Sequence, residues 1–343
     1  KARQVMKNRL YPVLLIIALS VNSCISDRQE TGSIKVISGN YFGQVTPGDS
    51  ARLFAPDIVS TGMAERDFAV TPDGNEIFFC REAGNFRYVT IFYSRRSNGV
   101  WSEPEVFKYC TNPAYKYVEP HISPDGAKLY FISTMPADYV SKSNEDIWIC
   151  TKTDGIWSEP RNPGAPVNTD SKEFFPSVTL EGTIYYTHLD TVANEEFIYR
   201  SRLVKGVYQQ PEKLGPNINI GRARYNAFVA PDESYIIIPA YGMPDSYGGT
   251  DYYISFPDSL DNWSRPVNMG QEINSSFPGE WSASVSTDRK YIFFMSDRLG
   301  SRNPGKLSTE TLREFHNSPQ NGNPDIYWVS SSVIEKLREN AKF

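Results

Sequence analysis

The 343 residues suffice for one large domain or two ordinary ones. Aromatic residues make up 13% of the chain, and 23 glycines with 24 prolines favour many short strands joined by tight turns over helices. The formal net charge of −5 comes without any basic run, which excludes nucleic acid as an expected partner because phosphate binding needs clustered lysine and arginine.

The N-terminus has the pattern of a secretory signal. A basic start precedes the apolar run VLLIIAL and the boundary VNSC, and this run is too short to span a bilayer. The ending resembles a bacterial lipobox, which implies that residues 1–24 are a lipoprotein signal peptide and that Cys24 is lipidated. An ordinary signal peptide with a chance cysteine is the alternative. Residues 25–40 are then predicted to be a tether, and residues 41–343 a single folded domain.

The remaining cysteines and the histidines predict neither a metal nor a cofactor. Cys80, Cys110 and Cys150 are odd in number, so at most one disulfide is possible. Cys80 and Cys150 end apolar, strand-like runs, which indicates buried small hydrophobic side chains. The three histidines lie far apart in sequence, and no Cys or His spacing matches a metal site.

A hairpin pattern recurs five times along the chain. Two strand-like stretches flank a turn such as Ser-Pro-Asp-Gly, in which Pro presets one dihedral angle and Gly takes a positive φ. The acidic residue of each turn follows the previous one after 51 to 56 residues, at Asp73, Asp125, Glu181, Asp232 and Asp288. A period near 50 residues is typical of a propeller or a solenoid.

Further strands recur at fixed offsets within each unit. A third strand has the form DIWIC (Asp146–Cys150), and a fourth has the form GIWSEP (Gly155–Pro160), with an Asn eight residues beyond the Pro. Four strands per period predict a propeller blade. The fifth unit lacks its fourth strand and ends in a short helix, so we expect Ala51–Ser60 to close the ring. The sequence therefore predicts an all-β, five-bladed propeller, with six blades as the alternative.

The repeats resemble those of the TolB-like propellers of the bacterial cell envelope. The resemblance is carried by FAVTPDGNEIFF and PHISPDGAKLYF, each followed by a strand of the Asp-Ile-Trp/Tyr type. It implies an interaction platform, a partner domain of a peptidase or, occasionally, a lyase. Ser26 is not Asp, which under the sorting rule of some bacterial lipoproteins implies the outer membrane, with the domain facing the periplasm or the cell surface. The membrane would then be contacted through the lipid anchor only.

The innermost strand of each blade alternates between two sets of side chains. We expect the apolar set, which includes Val118, Phe174, Tyr225 and Trp281, to fill the spaces between blades. The polar set is expected to face the axis and to bind a small polar ligand, a glycan or a peptide at an acidic mouth. Its members are Glu65, Asp67, Tyr117, Glu119, His121, Glu173, Arg224, Asn226, Glu280 and Ser282.

Two alternatives to this binding site stay open. The polar side chains can simply solvate a narrow, wet channel, and Glu119 with His121 can be an ordinary hydrogen-bonded pair. A glycan-active hydrolase or lyase could instead use two of the axial carboxylates as acid and base. The segment Leu299–Gly322, the one long loop between predicted strands, is expected either to shape a binding face or to be flexible decoration.

Overall fold

The computed structural model of the protein describes residues 37–137, 144–301 and 305–343, and in them five antiparallel sheets are arranged as a β-propeller. The predicted all-β fold with five blades is confirmed. The predicted signal peptide, Cys24 and residues 25–36 of the predicted tether lie outside the described residues. None of the described helices is long and apolar enough to cross a membrane.

Each blade runs from an inner strand at the axis to an outer strand at the rim. Strand β1 (Arg52–Leu53) comes first in the chain. Blade 1 consists of β2 (Ala64–Val70), β3 (Glu76–Ala83), β4 (Tyr88–Ser97), β5 (Val100–Trp101) and β6 (Glu105–Val106). Blade 2 consists of β7 (Tyr117–Ile122), β8 (Lys128–Ser133), β9 (Asp146–Thr153) and β10 (Ile156–Trp157).

The other three blades follow the same order. Blade 3 consists of β11 (Glu173–Val178), β12 (Ile184–Asp190), β13 (Glu195–Ser201) and β16 (Glu212–Lys213), with a small hairpin of β14 (Leu203–Val204) and β15 (Val207–Tyr208). Blade 4 consists of β17 (Ala223–Arg224), β18 (Phe228–Val229), β19 (Ile236–Tyr241), β20 (Thr250–Ser255) and β21 (Val267–Asn268). Blade 5 consists of β22 (Ala283–Val285), β23 (Tyr291–Ser296) and β24 (Asp325–Ser330), with β1 at its edge.

The recurring turns join the inner strand to the second strand, and their acidic side chains are used locally. In blade 2 the Ser123 hydroxyl and the amide of Ala127 both donate to Asp125 Oδ1, and Gly126 has a φ of 71°. The Ser123 hydrogen bond is the main cause that lowers the pKa of Asp125. The turn acids therefore hold the hairpins together, as Asx turns commonly do.

The recurring Asn clamps the third strand of its blade. Asn168 Oδ1 accepts a hydrogen bond of 2.9 Å from the amide of Ile147, and its Nδ2 donates to the carbonyl of the same residue at 2.9 Å. Asn219 and Asn274 make the same pair of bonds in their own blades. In blade 5 the hydroxyl of Ser60 takes this role against Ile326. The clamp thus fixes the chain that leads from one blade to the next.

The predicted fourth strands are split in two. In blade 1, β5 folds back on the end of β4, and the ladder resumes at β6 after Pro104. Pro lacks an N–H donor and cannot continue a ladder, so the recurring Pro separates the two short segments. The recurring Trp residues are buried, and the ring of Trp157 lies 5.7 Å from that of Phe78 in blade 1.

The N-terminal strand closes the ring, as predicted. Residues Arg52 and Leu53 of β1 pair with Trp328 and Tyr327 of β24. The next residue, Phe54, is fully buried and donates its amide to Ile326 O at 2.8 Å. Its ring lies 5.0 to 5.2 Å from three aromatic rings of blades 1 and 5, those of Phe68, Phe293 and Trp328.

Short segments outside the sheets pack against the blades. Residues 37–40, which the sequence assigns to the tether, contact blade 1, where Trp101 Nε1 donates to Gly39 O at 2.8 Å. A 3₁₀ turn (Asn40–Gly43) follows. Helix α1 (Thr309–His316) begins after the capping residue Ser308, inside the long loop, and α2 (Ser332–Arg338) is the predicted terminal helix.

Closure of the ring should dominate stability. We expect Phe54→Ala to lower the free energy of unfolding by about 3–5 kcal/mol, because it empties the aromatic junction of blades 1 and 5. The control Val45→Ala, at a residue that is 72% exposed, should change it by less than about 0.5 kcal/mol. Urea unfolding measures both. A chain starting at Met63 that unfolded like the full protein would contradict this closure.

Candidate functional site

A β-bulge interrupts the inner strand of at least three blades. The pairing register shifts between Arg66 and Phe68 in β2, and equivalent shifts occur in β7 and β11. The bulged residue has a positive φ in each case and also in blade 4, at Asp67, Glu119, Phe175 and Asn226. Ser282 holds the corresponding sequence position in blade 5. A bulge inserts one residue, so the side-chain alternation changes phase at this point.

The change of phase places three predicted mouth carboxylates inside the blades. Glu65, Glu173 and Glu280 are fully buried. Glu65 accepts the amide of Thr61 at 3.0 Å, the hydroxyl of Thr61 at 2.6 Å and Arg81 Nε at 3.0 Å. These acids cap the turn that enters the inner strand and do not line the mouth.

The other two blades repeat this arrangement with variations. Glu173 binds Thr169 and lies 2.9 Å from His188 Nδ1, and Glu280 accepts the amide of Ser275. Burial raises the pKa of Glu280 to about 7. The signal that sequence reasoning missed was a Ser or Thr four or five residues before each of the three Glu.

Tyr117 and Arg224 hold the same position in blades 2 and 4. Tyr117 is 2% exposed and belongs to the apolar core of blades 1 and 2. Arg224 Nη2 donates to Glu195 Oε2 at 3.1 Å, and its guanidinium lies 4.3 Å from the centre of the Phe197 ring. Neither side chain lines the axial pocket, so their predicted place at the mouth is corrected for the same reason as that of the three Glu.

The mouth is lined instead by the residue that directly precedes the bulge. One side chain from each blade surrounds a cavity of about 280 Å³ on the axis, namely Arg66, Val118, Phe174, Tyr225 and Trp281. Four of these were expected to fill the spaces between blades, and the shift of phase explains the difference. Phe86, Glu119, Glu145, Glu196 and Asn226 complete the lining together with Ile132.

A buried ion cluster joins blades 1 and 2 beneath this cavity. Arg66 donates to Asp67 Oδ2 at 2.8 Å and to Glu119 Oε1 at 3.2 Å. Glu119 Oε2 accepts the amide of Phe175 in blade 3 at 2.7 Å. Burial, followed by the nearby carboxylate of Asp67, raises the pKa of Glu119 to about 8. Of the predicted site residues, Glu119 and Asn226 line the mouth, and Asp67 is bonded to the mouth residue Arg66.

Below the mouth, polar groups of the inner strands bind the neighbouring blade. His121 Nε2 accepts the amide of Val178 at 3.0 Å, and Ser177 Oγ accepts the amide of Val229 at 3.0 Å. His121 Nε2 is therefore bonded to the backbone of the next blade and is not paired with Glu119. Burial lowers the pKa of His121 to about 4. The imidazole is thereby kept neutral, as an acceptor must be.

A larger cleft of about 750 Å³ adjoins the mouth and shares Arg66, Phe86 and Trp281 with it. The long loop contributes His316 and Gly322 to this cleft. The loop is held against blade 1 because Asn321 Nδ2 donates to Gly62 O at 3.0 Å. Mouth and cleft together offer aromatic faces and carboxylates, which suit a ligand with cationic or hydroxyl groups.

The metal and cysteine chemistry of the described residues is limited. They contain no cluster of three His, Cys, Asp or Glu side chains that could hold a metal. Cys80, Cys110 and Cys150 are buried free thiols, and burial raises the pKa of each. They act as apolar side chains in the core of blades 1 and 2.

His121 should make the fold sensitive to acid. An unfolded histidine takes up a proton near pH 6.5, whereas folded His121 does so only near pH 4, so stability falls as the pH drops through this window. Between pH 7.5 and pH 5 we expect the free energy of unfolding of the unaltered protein to fall by up to about 2 kcal/mol more than that of the variant His121→Gln. The amide oxygen of Gln can still accept the Val178 N–H but does not titrate.

Urea unfolding at the two pH values provides the measurement. His316→Gln, at an exposed histidine of α1, is the matched control and should follow the unaltered protein. Parallel losses in the unaltered protein and in His121→Gln would contradict a neutral, buried His121.

Comparison with known proteins gives likenesses of fold. No family profile and no curated protein matches the sequence. Similar solved structures include TolB from Acinetobacter baumannii, with 13% identity over 78% of this chain and 57% of that one and a TM-score of 0.42. Prolyl oligopeptidase B from Galerina marginata is 14% identical over 66% of this chain and 30% of that one, with a TM-score of 0.40. The periplasmic gluconolactonase of Pseudomonas aeruginosa is 11% identical over 67% of this chain and 64% of that one, with a TM-score of 0.37. This chain spans less than two thirds of each, and the propeller assignment rests on the sheet topology above.

Proposed function

We propose that the protein is a non-enzymatic binding module of the cell envelope, and that its axial mouth takes a ligand carrying a cationic group. The observation that supports this most directly is the convergence of all five blades on one cavity of about 280 Å³. Blade positions with structural roles repeat, whereas the five mouth side chains differ from blade to blade. Such variation suits an asymmetric ligand rather than the packing of identical units.

The charge of the mouth favours a cation. Asp67, Glu145 and Glu196 lie at or beneath it, against the positive charges of Arg66 and Lys172. Glu119 adds little negative charge near neutral pH, because its pKa is raised to about 8. Lys172 Nζ is 3.6 Å from Glu145 Oε2. Burial raises the pKa of Glu196, Lys172 lowers it, Glu145 raises it, and Arg224 lowers it by the smallest amount. An ammonium or guanidinium group entering here would relieve the repulsion between these carboxylates.

The aromatic side chains favour the same chemistry. Phe174, Tyr225 and Trp281 line one cavity and are each only partly buried. A cation within about 6 Å of such a ring gains roughly 0.5–2 kcal/mol. The adjoining cleft leaves room for the rest of a peptide on the Trp281 side. We therefore propose a basic peptide segment as the occupant, with a small cationic ligand in the same chemical class.

A glycan-active enzyme is the second candidate. One observation favours it: Glu119, whose pKa is raised to about 8, lines the same cavity as Glu145 and Glu196. A protonated acid beside an ionised carboxylate is the arrangement that glycosidases use. Turnover of an oligosaccharide panel that is lost in Glu145→Gln or Glu196→Gln would favour this candidate over the binding module.

The proposed location in the envelope rests on the sequence alone, because Cys24 lies outside the described residues. We propose that Cys24 carries lipid and anchors the domain to the outer membrane, with the domain facing the periplasm or the cell surface. Stable anchoring takes more than one acyl chain.

Binding should depend on the mouth carboxylates. We expect Glu145→Gln with Glu196→Gln to weaken binding of Lys- and Arg-containing peptides at least tenfold, because two charges that face the ligand are removed. The melting temperature should be unchanged. Calorimetric titration with matched basic and neutral peptides gives the measurement.

The control variant combines Glu103→Gln and Glu272→Gln, at two exposed acids outside the mouth lining, and should bind normally. Equal binding of basic peptides by both double variants would move the site away from the mouth. If none of the basic peptides binds the unaltered protein, the proposed chemistry is wrong.

Anchoring has its own test. Cells expressing the protein should incorporate labelled fatty acid into it and retain it in the membrane fraction, whereas Cys24→Ser should abolish the label. Cys110→Ser, at a buried thiol, is the control and should keep it. Recovery of the unaltered protein as an unlabelled periplasmic species would refute the anchor.

A further inference from the structure

The axial mouth is one end of a longer depression. The mouth shares three lining residues with the adjoining cleft, as described above. The cleft shares three others, Met63, Glu82 and Ala83, with a further cavity of about 350 Å³, which we call the blade 1 pocket. This pocket reaches Val106 in β6, the outer strand of blade 1. Three spaces therefore follow one another from the axis to the rim of blade 1.

The end of the β3–β4 hairpin lines all three spaces. Ala83 pairs with Tyr88 at the end of the ladder, and the turn between them holds Gly84, Asn85 and Phe86 at φ values of 67°, 55° and 63°. Phe86 lines the mouth and the cleft, Ala83 lines the cleft and the blade 1 pocket, and Tyr88 lines the pocket. A ligand that occupied the mouth and the pocket together would run past this hairpin.

The blade 1 pocket presents mainly apolar side chains. Phe92, Val106 and Pro113 are part of its lining. Two large apolar side chains that also line it, Met63 and Tyr88, are 43% and 55% exposed. Exposed apolar side chains that gather at one pocket indicate a binding site, whereas scattered ones do not.

The charge of the one arginine in this pocket is compensated within the protein. Arg81 Nε donates to Glu65 Oε1 at 3.0 Å, and Arg81 Nη2 donates to the carbonyl of Ile58 at 2.7 Å. The hydroxyl of Thr90, which also lines the pocket, donates to the carbonyl of Cys110 at 2.5 Å. These groups do not call for an acidic or carbonyl partner from a ligand. The pocket therefore favours an apolar side chain.

We propose that the blade 1 pocket is a second subsite for the peptide whose basic residue enters the mouth, and that it takes an apolar side chain such as Leu or Phe. This inference rests on the proposed function, because the basic residue and the apolar residue belong to one peptide. It narrows the ligand class to a segment that carries both residues at a set separation. The fold fixes the distance between the two subsites, so one separation should bind best.

The test measures calorimetric binding of the full chain to blocked peptides in which one Lys supplies the only charge. A single Leu stands about two to eight residues away in a Gly-Ser spacer, since each extended residue adds roughly 3.4 Å to the separation. A matched series carries Ser in place of Leu. At the best separation we expect the Leu peptide to bind at least about fivefold more tightly than its Ser counterpart, because the Leu side chain leaves water.

Variants at exposed positions locate the Leu side chain. Tyr88→Ser and Met63→Ser should each remove most of the advantage of the Leu peptide over the Ser peptide. The control Val192→Ser, at a residue that is 96% exposed in the corresponding hairpin of blade 3, should keep this advantage.

The outcomes separate this inference from the proposed function. If Lys peptides bind through Glu145 and Glu196 but Leu brings no advantage, the blade 1 pocket is not a subsite and the role of the mouth stands. An advantage that is equal at every separation, or that survives both Tyr88→Ser and Met63→Ser, also overturns the inference. If none of the Lys peptides binds, the proposed function and the inference are both wrong.

Discussion

Five inner strands meet at one axis, and the crowding there governs what the chain can place around it. At the level of Phe68 and Ser282 the channel narrows to a space of only about 10 Å³. A strand of regular pleat would send alternate side chains into this space along its whole length. In four blades that regularity ends at one residue of positive φ, namely Asp67, Glu119, Phe175 or Asn226. The residue that directly precedes the bulge opens into the mouth, whereas polar groups beyond the bulge, such as His121 and Ser177, bond to the next blade.

The same constraint explains the fate of the acidic residues. Glu65, Glu173 and Glu280 come before the bulge and turn into the blade, where a Thr or Ser and a basic side chain hold each of them. Burying a carboxylate is tolerable because its oxygens are satisfied there. Acids at the axis have fewer such partners. The proposed attraction of the mouth for a cation would therefore come from a few carboxylates, and not from a ring of five.

The fold could be predicted from the sequence because its signals are local and repeated. The turn at Asp125 and the Pro after Trp157 act through their own backbone, and the five copies of the hairpin pattern agree. Closure by Arg52 and Leu53 followed from a missing outer strand and an unused segment. Which side chains of the inner strand face the axis could not be predicted, because the bulge that shifts their alternation has no common residue type. Phe175, for example, takes a positive φ without being Gly or Asn.

The repeats act as an internal comparison, since five equivalent positions can be compared within one chain. Positions that hold the fold change little: the turn acids stay acidic, and the clamp stays Asn in three blades and Ser60 in a fourth. The position before the bulge carries instead a cation, an aliphatic side chain and three aromatic rings. Packing alone would favour similar residues at equivalent places. The ring thus keeps its symmetry where stability requires it and departs from symmetry at the mouth, where an asymmetric partner would be recognised.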